Sequence, residues 1–112
     1  MSKVVIIPSD EFKRQAKRLA KKYKSFVSDL IEFQRLIMEN PSLGVDLGGG
    51  KHKVRLGIRS KGKGKRGGCR VITYMVDCTE NDIKVYLVTI YDKSEFENVS
   101  DVYVNQIIRG LE

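Results

Sequence analysis

The sequence of 112 residues predicts one α+β domain of element order β-α-α-β-β-β-α, a mainly antiparallel sheet packed by an N-terminal helical hairpin and a C-terminal helix. Three observations carry that expectation. Apolar residues recur at helical spacing in two adjoining stretches near the N-terminus and again after Ser100. Three strand-like runs follow one another between Lys51 and Asp92, separated by a Gly-rich segment and by the DCTEND turn. Hydrophobic residues make up 41%, enough for one core at this length, and no internal repeat or linker divides the chain.

Val4 to Ile7 is a short β-branched run that suits a strand, and Pro8, lacking an N–H, ends its pairing. Ser9 or Asp10 caps the helix that follows. There Phe12, Ala16, Leu19, Ala20 and Tyr23 form an apolar stripe, while Lys13, Arg14, Lys17, Arg18, Lys21, Lys22 and Lys24 cover the remainder. Ser25 is placed to cap a second helix, Phe26 to Met38, whose Phe26, Leu30, Phe33 and Ile37 make one row with Val27 and Ile31 beside it. Asn40-Pro41 stops that helix. Because only Lys24 and Ser25 join them, the two helices are expected to pack antiparallel over the sheet. Ser42 to Gly50 reads as a loop, with Leu43, Val45 and Leu47 tucked under it.

The strand Lys51 to Arg59 alternates, with Val54, Leu56 and Ile58 at one parity and Lys53, Arg55 and Arg59 at the other. One face therefore sits on a core while the other offers cations. Cys69 to Asp77 and Ile83 to Asp92 are apolar at both parities, which suits central strands covered on two faces. The last helix, capped by Ser100, carries Val104, Ile107, Ile108 and Leu111 on one stripe with Tyr103 at its edge.

Charge is polarised along the chain. The net charge is +7, with nine of the 21 Lys and Arg residues between Lys51 and Arg70, where no acid occurs. Val71 to Glu112 has three bases against eight acids. Such a balance suits a polyanion, a membrane surface or an acidic partner, and the basic hairpin around the glycine-rich loop favours a polyanion. The first helix, with seven bases against one acid from Glu11 to Lys24, reads either as a solvated amphipathic helix or as a second face for the same polyanion.

Several motifs fail on context. Gly62 to Gly67 matches G-x-G-x-x-G, but it follows a basic segment and precedes a strand, whereas a dinucleotide fingerprint opens a helix. Gly48 to His52 lacks the first glycine and the Ser or Thr of a phosphate loop. One His and two Cys cannot make a structural zinc site in a monomer, and no Ser-His-Asp or Cys-His spacing supports a covalent nucleophile. No cofactor is expected. Cys69 and Cys78, nine residues apart in or beside one strand, are too distant to bridge and are read as free thiols of a reducing compartment. The Asn98-Val99-Ser100 sequon then has no glycosylation to support. The VVIIP run is too short for a signal peptide, and YLVTIY falls far below the ~20 residues of a membrane helix, so a cytoplasmic protein without membrane contact is expected.

What remains is a cation-lined site with a few proton carriers. His52 alone has an ordinary pKa near neutrality, and it reads either as a proton carrier or as a merely solvated side chain. Arg70 shares the parity of Ile72 and Tyr74, so it is expected at the sheet surface beside the basic loop, free for a ligand or in a salt bridge with a C-terminal acid. Tyr91 and Lys93 end the last strand, where a hydroxyl and an ammonium reach a bound phosphate, unless Tyr91 only closes the core.

GGCRVITYMV, then IYDKSEFENVS after an apolar strand, preceded by the KVRLGIRS strand and a lysine-rich helical hairpin, resembles the RelE/ParE toxin superfamily, especially its HigB/RelE-type branch. The resemblance spans nearly the whole chain. It implies the toxin of a bacterial type II toxin–antitoxin pair, a metal-independent, ribosome-dependent endoribonuclease (mRNA interferase) that inhibits translation by cutting mRNA in the decoding site. The implied partners are a cognate antitoxin, the ribosome and mRNA, with operator DNA reached only through the antitoxin complex.

Carried over by position, the resemblance puts the family's basic pair on Lys53 and Arg55, its next-strand arginine on Arg70 and its last basic residue on Lys93; Tyr91 and Tyr103 are both candidates for its C-terminal tyrosine. RNA brings its own nucleophile, the 2′-hydroxyl, so such a protein has to align it and stabilise charge on the phosphorane. Arg55 and Arg70 suit the phosphate because a guanidinium fork holds two oxygens, with Lys53 and Lys93 in support. Lys51, His52, Arg59, Lys61, Lys63, Lys65 and Arg66 are expected to hold RNA around that centre, with strong salt dependence. The alternatives are a ParE-like toxin acting on DNA gyrase, a noncatalytic RNA-binding module, and an inactive relative that keeps only antitoxin binding. The glycine-rich loop lacks the interleaved aromatics of a single-strand binding module.

Overall fold

In the computed structural model, which describes residues 3–61, 67–77 and 81–111, Val4 to Ile7 form the heart of an edge strand, β1 (Lys3–Pro8). Then come α1 (Asp10–Lys22), α2 (Phe26–Glu39), β2 (Val45–Gly48), β3 (Lys51–Leu56), a short 3-10 turn (Arg59–Lys61), β4 (Cys69–Asp77), β5 (Asp82–Asp92) and α3 (Asp101–Arg109). The class is α+β, and the five strands form one mixed sheet in the order β1-β5-β4-β3-β2.

Three features depart from expectation. β1 pairs with β5 in parallel, Ile6 opposite Val85, whereas the other strand pairings are antiparallel. A two-helix crossover between β1 and the rest of the sheet leaves room for that arrangement. The stretch expected to be a loop, Ser42 to Gly50, contains β2, which pairs with β3 at Val45↔Lys53 and Asp46↔His52. Leu43 does pack against the core, but Val45 and Leu47 stand exposed on this edge strand. β3 also ends at Leu56, before the expected Arg59.

Helix starts follow the caps only in part. Ser9, rather than Asp10, caps α1: its hydroxyl accepts from Phe12 N at 2.9 Å and donates to Val88 O at 2.6 Å, tying the helix start to β5. Ser100 caps α3 by accepting from Tyr103 N at 3.1 Å. Ser25 occupies the position before α2 but makes no cap bond; its hydroxyl donates to Asp29 Oδ2 at 2.7 Å instead.

The sheet is covered on both faces. Val54, Leu56, Val71, Val85, Leu87 and Ile90 pack under Phe12, Leu19, Phe26, Phe33 and Ile37 of the helical hairpin. Ile72, Tyr86 and Val88 pack under Val104 of α3. Burying one such aromatic or aliphatic side chain stabilises the fold by about 1.5–3 kcal/mol, which is why the apolar stripes fix the layer order.

One irregularity matters for the site. Between Ile72↔Thr89 and Thr73↔Leu87 the register slips, leaving Val88 as an extra residue in β5. Before the bulge the odd residues Val85 and Leu87 face the hairpin; after it the even Ile90 does. Tyr91 is thereby turned onto the α3 face.

Candidate functional site

Strand register assembles the cations. Arg55 of β3, Arg70 of β4 and Tyr91 of β5 are direct partners across three adjacent strands, so their side chains leave the same face of the sheet. The next row is Lys53, Ile72 and Thr89. At about 4.8 Å between strands, the Arg55–Arg70–Tyr91 row spans roughly 10 Å, the scale of one phosphate and its neighbouring sugar. Like charges directly opposite one another are unfavourable in a sheet.

Arg55 is exposed, whereas Arg70, expected at the surface, is only 6% exposed, its Nη1 donating to Cys69 O at 3.1 Å. It sits low in the sheet face, with Arg55 nearer solvent. Tyr91 is 4% exposed as a whole residue, and its hydroxyl lies 3.5 Å from Asn98 Oδ1 in the segment between β5 and α3. Burial pushes its phenol up, against the opposing pull of Arg70, so it keeps its proton at neutral pH. Lys93 is exposed in the turn after β5, where its backbone N–H donates to Gly68 O at 3.2 Å and holds the turn against the start of β4.

The partners of the lysines on this face are neutral. Lys53 Nζ donates to Asn98 Oδ1 at 3.2 Å, and Lys51 Nζ to Asn105 Oδ1 of α3 at 3.1 Å. Among the described residues, Lys51, Lys53 and Arg55 take part in no salt bridge. The charge on Lys51 and Lys53 is therefore held in place without being cancelled, which suits an anion site.

The remaining cations of the hairpin go elsewhere. Arg59 Nε lies 2.9 Å from Asp29 Oδ1, its backbone N–H reaches Asp29 Oδ2, and Nη2 donates to Ser28. Lys61 Nζ lies 2.9 Å from Asp92 Oδ1. Both belong to clamps that fasten the hairpin's outer end to the helices. His52, at the parity of Val54 and Leu56, is turned into the sheet at 6% exposure beside its strand partner Thr73, away from the cation row. This burial overturns the expectation of a solvated side chain and separates His52 from the RNA-binding cations it was expected to join. Lys63, Lys65 and Arg66 lie outside the described residues.

The two candidate tyrosines separate. Tyr103 donates to Glu11 Oε2 of α1 at 2.5 Å and lies 3.1 Å from the Thr89 hydroxyl, so it ties α3 to α1 and β5. Burial and the Glu11 carboxylate push its phenol up. Burial works against the charge on Glu11, but hydrogen bonds from Tyr103, Arg14 and Gln15 prevail and keep it ionised. Beside these groups opens a cleft of about 400 Å³, walled by Tyr91, Phe96, Asn98 and Tyr103. Asn98 and Asn105 had no motif to mark them. Asn98 is visible in sequence only as part of the sequon and, by its offset from Ser100, as the approach to a helix cap.

No family model matches the chain. Among the described residues no helix is long and apolar enough to cross a membrane.

Proposed function

We propose that this chain is the toxin of a bacterial type II toxin–antitoxin pair, a RelE-like endoribonuclease that cuts mRNA on the ribosome. The observation that supports it most is the Arg55–Arg70–Tyr91 row, with Lys53 in the row beside it.

In this reading the phosphate lies over the paired guanidinium groups, which take its non-bridging oxygens. The 2′-hydroxyl passes its proton to solvent water and attacks the adjacent phosphorus while the bond to O5′ breaks, and solvent afterwards restores the proton that the enzyme's acid gives up. A 2′,3′-cyclic phosphate and a 5′-hydroxyl result. Tyr91, protonated at neutral pH, supplies the proton that O5′ takes up. The charge on Lys53 and Lys93 stabilises the phosphorane. Lys51 extends the basic strand toward α3 and contacts flanking RNA, whose binding is expected to weaken steeply with salt.

The test is induction in bacteria with and without the neighbouring antitoxin, with mRNA 5′ ends mapped. Growth arrest with codon-phased cleavage is expected; arrest without cleavage rejects the nuclease and turns attention to gyrase. An Arg55→Ala, Arg70→Ala double variant is expected to stop cleavage while still binding the antitoxin. Continued cutting by that variant overturns the residue assignment.

A further inference from the structure

We infer that Asn98 is a positioning residue of this site, its side-chain carbonyl gathering the Lys53 ammonium and the Tyr91 hydroxyl to one point above the sheet. The inference rests on the proposed nuclease reading for its chemistry and on geometry alone for its existence. Lys53 and Tyr91 stand on β3 and β5, with β4 between them, and one row apart, because Lys53 aligns with Thr89 and Tyr91 with Arg55. They need a third group to bring their polar ends together. Asn98 Oδ1 does so at 3.2 Å from Lys53 Nζ and 3.5 Å from the Tyr91 hydroxyl, and also accepts from the Val99 N–H at 3.0 Å.

Three donors share one carbonyl oxygen, and the Tyr91 contact is the longest and weakest. A substrate oxygen can therefore draw the phenol away while Val99 and Lys53 remain. The loop is steadied on its C-terminal side by Ser100, which caps α3 two residues later.

The identity of the side chain supports a role beyond holding the fold. Elsewhere among the described residues carboxylates clamp lysines, as Asp92 does with Lys22 and Lys61, whereas on the cation face Lys51 and Lys53 are held by the amides of Asn105 and Asn98. An aspartate at position 98 would make the stronger clamp, but it would neutralise Lys53 and set a negative charge where the phosphate lies. A neutral amide positions the ammonium and leaves its charge available.

Asn98→Asp and Asn98→Ala test this in the full chain. The readouts are single-turnover mRNA cleavage on ribosomes, binding of a 2′-deoxy-blocked RNA of the same sequence, and the Tyr91 phenol titration followed by ¹³C NMR, with Tyr91→Phe giving the assignment. Both variants are expected to keep the wild-type melting temperature within a few degrees. Asn98→Ala should slow cleavage about tenfold or more with blocked-RNA binding little changed, because orientation rather than charge is lost. Asn98→Asp should slow cleavage and also weaken binding several-fold, about the effect of one cancelled phosphate contact, and move the Tyr91 titration to higher pH. Wild-type cleavage by both variants overturns the inference. If the wild type itself leaves mRNA intact, the nuclease reading fails separately, and an Asn98→Asp variant with an unmoved Tyr91 titration then overturns the bridge as well.

Discussion

The Lys61 ammonium lies 2.9 Å from Oδ1 of Asp92, a carboxylate with no exposed surface at the end of β5. Lys22 reaches Oδ2 at 3.1 Å, Ser94 donates through both its N–H and its hydroxyl, and Tyr23 adds a short hydrogen bond. One acid thus joins α1, the hairpin's outer end and the turn after β5. Burial opposes its charge, but the donors from Tyr23, Lys61 and Ser94 prevail and hold the carboxyl far below the usual range.

A depressed folded-state pKa contributes stability above the unfolded carboxylate pKa of about 3.9, and that contribution fades as pH falls through the acid range. Urea midpoints are therefore expected to drop below about pH 4. At pH 7 Asp92→Asn is expected to cost about 3 kcal/mol, since it leaves buried donors and charges without their acceptor. It should also flatten the acid dependence. Equal midpoints for wild type and variant between pH 3 and 7 would show that the clamp carries no stability.

Burial and the neighbouring Asp92 push the Cys69 thiol up to about 12, and the residue has no exposed surface. With Cys78 replaced by Ser, alkylation by iodoacetamide at pH 7 should run at least about a thousandfold slower in the folded than in the urea-unfolded protein, since only the thiolate reacts. Comparable rates in the two states would contradict the burial.

Gly68 lies where β3 and β4 converge: a Cβ there would stand 2.2 Å from Leu56 O and 3.1 Å from both Gly57 Cα and Ile58 N. These are backbone atoms and cannot swing aside. Gly68→Ala is expected to cost about 2–4 kcal/mol and to disturb the Arg55–Arg70 register two residues on. A variant of wild-type denaturation midpoint would refute this packing.

Arg55 and Arg59 are four residues apart in one basic segment yet are expected to behave oppositely. Arg55→Ala should weaken binding of blocked RNA about tenfold, shallow its salt dependence by about one unit of slope, and leave the urea midpoint no lower than that of the wild type. Arg59→Ala should leave affinity within about twofold and lower stability by about 1 kcal/mol, the smaller figure reflecting an arginine that is largely solvent-exposed. Reversed outcomes would mean that the cation face has been assigned to the wrong residues.

The sequence by itself determined three helices and four of the five strands, because helical and strand periodicity, the cap at Ser100 and the stop at Asn40-Pro41 are local signals; the choice of Ser9 over Asp10 as the first cap came from the structure. It also set the parity that puts Lys53 and Arg55 on one face, and the same parity buries His52. Tertiary structure alone decided the rest. The parallel β1–β5 pairing and the short edge strand β2 depend on distant partners. Which cations keep their charge depends on acids some thirty residues away, Asp29 for Arg59 and Asp92 for Lys61. Above all, the bulge at Val88 turns Tyr91 to the side of Arg70. In a strand that is apolar at both parities no alternation marks the slip, so only pairing with β4 decides which face the tyrosine takes.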